Sequence, residues 1–101
     1  MKPIRSHSFL GRIYRIRFHH RIPPDALGMC EHPSSKNKTI HIRPNLDVKQ
    51  LVETVVDESL HACFWSLDNE EVDEAATDIV RLLFRMFDIK PKDDLTGRTE
   101  S

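Results

Sequence analysis

The segment QLVETVVDESLHACFWSLDNEEVDEAATDIVRLLF, Gln50 to Phe84, decides the fold. Its apolar residues recur every three or four positions on both sides of a short polar break, the pattern of two amphipathic helices. The first is predicted from about Val48 to Trp65 or Ser66, with Asn45 or Asp47 as N-cap. Val52, Val56, Leu60 and Cys63 fall on one face of it, edged by Leu51, Val55 and Phe64. Asp68-Asn69-Glu70-Glu71 reads as a capping box that opens a second helix over Asn69 to Phe87. The stripe of that helix is Val72, Ala76, Ile79, Leu83 and Phe87, widened by Ala75, Val80 and Met86. So short a connection makes the two helices antiparallel neighbours.

Working outward, Arg12–Phe18 (RIYRIRF) alternates apolar and basic residues, with a slip at Tyr14–Arg15, and reads as a strand. Residues 22–38 carry three prolines, a glycine and polar turn formers, and read as a long loop or wide hairpin connection. Thr39–Arg43 (TIHIR) alternates again and is stopped by Pro44. The predicted fold is therefore α+β: a short β-sheet or hairpin packed on two antiparallel helices. Residues 1–90 form one compact domain, and KPKDDLTGRTES reads as a solvated tail, with 91–101 outside the domain.

With 101 residues, the chain has room for one domain and a modest core. It has no apolar run long enough for a membrane helix, and its arginine-interrupted N-terminus lacks a signal-peptide core. The two cysteines, Cys30 and Cys63, make no CxxC pair, so a reduced, cytoplasmic protein is expected. Charge is divided unevenly. Residues 1–50 hold ten Lys/Arg against three Asp/Glu, a balance of +7, and residues 51–101 hold five against thirteen, a balance of −8. Such a split fits two halves attracting each other inside one fold, or a nucleic-acid surface on the basic half.

The chemistry concentrates in VVDESLHACFW, Val55 to Trp65. On a helix, Asp57, Glu58 and His61 share a wedge within about 100° of arc. Two ligands at i and i+4 point the same way, and a carboxylate at i+1 stands where it can take a proton from a metal-activated water. Glu74 and Asp78 repeat the i, i+4 spacing on the second helix. Taken alone, Asp57/His61 is an ordinary helix-surface ion pair, and Glu74/Asp78 an acidic face with Arg81 and Arg85 beside it. Cys30, Glu31 and His32, with His19 and His20, fit no metal spacing.

Together the two segments resemble the gluzincin metallopeptidases of the thermolysin type, which carry HExxH on one helix and ExxxD on the next. The likeness is nearest to their minimal, phage- and bacteria-associated members, the minigluzincins, and covers roughly residues 39–89. The resemblance implies a minimal zincin-like domain that hydrolyses peptide bonds. Glu58 would be the general base, with Asp57, His61 and Glu74 as ligands to Zn, and Asp78 as a supporting carboxylate. If the second strand flanks the cleft, His41 would line a substrate groove.

The departure from the family is Asp57, where its first histidine stands. Aspartate is shorter and adds negative charge, so bound water would be less acidic, and a harder ion such as Mn would suit the oxygen-rich set. The expected function is a compact metallopeptidase with a compromised site. Its rivals are an inactive peptide-binding or regulatory relative and a basic nucleic-acid-binding accessory protein.

Overall fold

The computed structural model describes residues 4–89. The tail expected at 91–101 lies outside the described residues.

Four strands and two helices follow in the order β1 (Ser6–Phe9), β2 (Arg12–Phe18), β3 (Gly28–Cys30), β4 (Thr39–Ile42), α1 (Val48–Cys63) and α2 (Asn69–Met86). The fold is the expected α+β domain, and β2, β4, α1 and α2 fall where the periodicity put them. Asp47, rather than Asn45, caps α1: its side chain accepts from the Gln50 N–H at 2.8 Å, and Gln50 Oε1 accepts from the Asp47 N–H. Asp68 caps α2 by accepting from the Glu70 N–H at 2.9 Å.

Two short strands were hidden from periodicity. β1 (SHSF) is polar and four residues long, and it forms a hairpin with β2 through Leu10 and Gly11, both at positive φ. That backbone suits a tight two-residue hairpin turn. β3 is three residues inside the segment read as loop. The sheet order is β1-β2-β4-β3, with β2 and β4 parallel and the other pairs antiparallel. β4 is therefore an inner strand, and β3 is the edge strand on the α1 side.

Register divides the sheet into two faces. Tyr14, Ile40, Ile42 and Cys30 join Ala62 of α1 in the core, with Phe9, Ile16, Leu46 and Leu51 packed around them. The irregularity in β2 lies at Arg12–Ile13 rather than at Tyr14. Ile13 is exposed, whereas Arg12 turns inward and donates from Nη2 to the Ala62 carbonyl at 2.9 Å. The other face, with Ser6, Arg15, Arg17, Met29 and His41, is turned away from the helices.

α1 packs on the sheet, chiefly against β3, and α2 packs on α1. The most buried residues of α1 are Val48, Thr54, Glu58 and Ala62, so the polar wedge is covered rather than solvent-facing. Thr54 satisfies its hydroxyl by donating to the Gln50 carbonyl at 2.6 Å. Among the described residues, no helix is long and apolar enough to cross a membrane.

Candidate metal centre

Glycine at position 28 sets the approach of β3 to α1. A Cβ there would stand 2.5 Å from Thr54 Cγ2 and 3.2 Å from Glu58 Oε2. Its absence lets the strand close over the helix, and Glu58 is left only 6% exposed. Asp57 and His61 flank Glu58 on the same turn, with His61 Nε2 and Asp57 Oδ2 at 3.8 Å. One ligand atom from each of Asp57, Glu58 and His61 lies within 4.8 Å of the others, and among the described residues this is the one such group of three. Ligand atoms sharing a zinc ion with bonds of ~2.1 Å stand roughly 3.4 Å apart, so small side-chain adjustments would close the set on a cation.

The electrostatics point the same way. Burial first, then the neighbouring Asp73 carboxyl, pushes the Asp57 carboxyl up to about 7. Burial, then the charges of Asp57 and Asp73, pushes Glu58 up to about 8. Asp57 Oδ1 is buried without a hydrogen-bond partner. Carboxyls crowded in this way take up protons or hold a cation.

α2 brings Asp73, rather than Glu74, to the cluster. Asp73 lines both clefts beside Glu58: one also bounded by Asp57, Thr54, Gly28 and Thr77, the other by His61, Trp65, Gly28 and Cys30. Glu74, exposed as Asp73 is, borders neither. Asp78 is exposed too, its carboxylate 3.9 Å from Arg81. The helix turn explains both placements. The buried line of α2 is Val72, Ala76 and Val80. At 100° per residue, Glu74 and Asp78 project about 160° from its centre, and Asp73 only about 60°. The wheel signal was present in the sequence, and the i, i+4 spacing of Glu74 and Asp78 masked it.

His41 lies on the opposite face of the sheet from this cluster, because β4 is an inner strand whose Ile40 and Ile42 take the helix side. It belongs to a separate chain of hydrogen bonds. The Arg21 N–H donates to His19 Nδ1 at 3.0 Å, His19 Nε2 is 2.7 Å from His41 Nδ1, and His41 Nε2 is 2.7 Å from Glu31 Oε2. With His19 Nδ1 accepting, the consistent tautomers place a proton on Nε2 of each ring, pointing along the chain to Glu31. No ring nitrogen is left to ligate an ion, so this chain is a structural network. Cys30 and Cys63 are free thiols.

No family model matches the chain, and no match was found among curated proteins or solved structures.

Proposed function

We propose that the protein is a metal-dependent hydrolase acting on peptides, with Asp57, His61 and Asp73 as the cation-holding set and Glu58 as the proton acceptor. The observation that carries this reading is the convergence of Asp57, Glu58 and His61 in a partly covered cleft, with one Asp57 oxygen buried and unpartnered. The donor set fits a divalent cation with mixed oxygen and nitrogen preference, Zn or Mn. When bound, the cation would supply Lewis acidity towards a water and a carbonyl oxygen.

The residues supply the rest. Glu58 is next to the ligands and shielded by β3, so a proton it accepts is held in a site of restricted hydration. Relief of the carboxylate crowding by a cation would bring Glu58 down from about 8 towards the ionised form that such a role requires. β3 has one edge bonded to β4 and the other towards the cleft, and Gly28, Met29 and Cys30 line the cleft with His61 and Trp65. An extended peptide added along that edge would pass the cluster.

Asp57 also favours the rival reading, an inactive relative. Its carboxylate replaces the histidine expected of the resembling family and lowers the net charge of a loaded site. The test is calorimetric titration of metal-free protein with zinc and with manganese, beside hydrolysis of a quenched fluorescent peptide mixture by the loaded protein. Binding with Glu58-dependent hydrolysis supports the enzyme. Binding without hydrolysis supports the inactive relative. Absence of binding by either ion overturns the metal reading.

A further inference from the structure

We propose that the sheet face turned away from the helices binds single-stranded nucleic acid through its phosphates. The cross-strand pair Ser6–Arg15, with Arg17 two residues along β2, places two guanidiniums and a hydroxyl on this face. Arg15 and Arg17 stand roughly 6.6 Å apart along the strand. Arg5 and Phe18 close a concavity with them, and no carboxylate lines it. All three arginines are exposed, and none joins an ion pair among the described residues.

The neighbouring positions reinforce the charge. Arg17 pairs in register with His41, and Glu31, the carboxylate beside them, already accepts from His41 at 2.7 Å. The ion pairs among the described residues lie within the first half of the chain (His41–Glu31) or within the helices (His61–Asp57, Arg81–Asp78). None joins the basic half to the acidic half. Arg12 turns inward to the Ala62 carbonyl, but Arg5, Arg15 and Arg17 are left exposed.

The shape selects the form of the polyanion. Four strands span about 14 Å, wider than a B-DNA major groove of about 12 Å that admits a helix or a two-stranded ribbon. A single strand can lie across such a face. This inference is independent of the cation cluster, which lies on the other side of the sheet.

The test is fluorescence anisotropy of the full chain with a labelled oligothymidine. Raising salt from about 50 to about 200 mM should weaken binding roughly 20-fold if three phosphates are neutralised. Arg15→Glu/Arg17→Glu should weaken it at least about tenfold at the lower salt and flatten the salt slope. Arg85→Glu, an exposed change on α2, should leave it within about twofold, since a charge beyond a Debye length is screened. Circular dichroism checks the fold of each variant, and Arg15→Gln/Arg17→Gln replaces the double variant if it does not fold. No binding at low salt, an unaffected double variant, or tighter binding to duplex or to phosphatidylserine vesicles would overturn the proposal.

Discussion

Asp57 turns one carboxylate oxygen towards His61 and buries the other without a partner, and both features bear on ion binding. Asp57→His should raise zinc affinity, because imidazole reaches farther from the helix and completes the two-histidine set that zinc sites use. Stoichiometric zinc in the variant and none in the parent, measured by atomic absorption, would mark a site degraded by this one residue. Asp73→Ala should weaken divalent binding while Glu74→Ala leaves it unchanged, since only the former side chain borders the clefts. Equal effects of the two changes in a titration would contradict that geometry. Glu58→Gln should lower any hydrolysis by at least about a hundredfold and leave zinc binding largely intact. Cys30, buried and near Glu58 and Glu31, has its thiol pushed up to about 12 by burial first and those charges second. One of the two cysteines, Cys63, should therefore react with a thiol reagent at mildly alkaline pH in the native protein, with Cys30 following only on unfolding.

At the scale of elements, the β3–α1 contact is the joint that forms the site. Gly28→Val would drive a side chain into Thr54 and the Glu58 carboxylate. The expected cost is about 1–3 kcal/mol of overpacking, read as a lower urea midpoint at an unchanged slope. A midpoint equal to wild type would mean that β3 can retreat and that the cleft is not fixed by this contact. The same joint shows how far the sequence could be read. The helices were legible because each carries several turns of apolar periodicity and a side-chain cap. β1 and β3 were not, because four and three residues give too few alternations, and SHSF and GMC are held by neighbouring strands rather than by their own propensity. Asp57, Glu58 and His61 were legible as one helix wedge. The burial of Glu58 was not, because it depends on β3.

Among the described residues, Arg15 and Arg17 stand on the open sheet face, while Asp57, Glu58 and Asp73 gather in the cleft between β3, α1 and α2. The cleft has a consequence for the stability of the metal-free protein. Asp57 moves from 3.8 to about 7 on folding, and Glu58 from 4.5 to about 8. Both folded values lie above the unfolded ones, so the folded state retains protons that the unfolded state releases. Stability from these groups is fully present below about pH 4 and is lost as pH rises through 7 to 8. Other carboxylates destabilise the fold in strong acid, so the comparison belongs between mildly acidic and mildly alkaline buffer. Melting of chelator-treated protein should occur several degrees lower at the alkaline end. Glu58→Gln, neutral at every pH, should narrow that gap without removing the share due to Asp57. A divalent ion should raise the alkaline melting temperature more than the acidic one, because the ligands it needs are already deprotonated there. A melting temperature that rises with pH in the metal-free protein would show that the cleft carboxyls are ionised at neutral pH, and the account of crowding that motivates cation binding would fall with it.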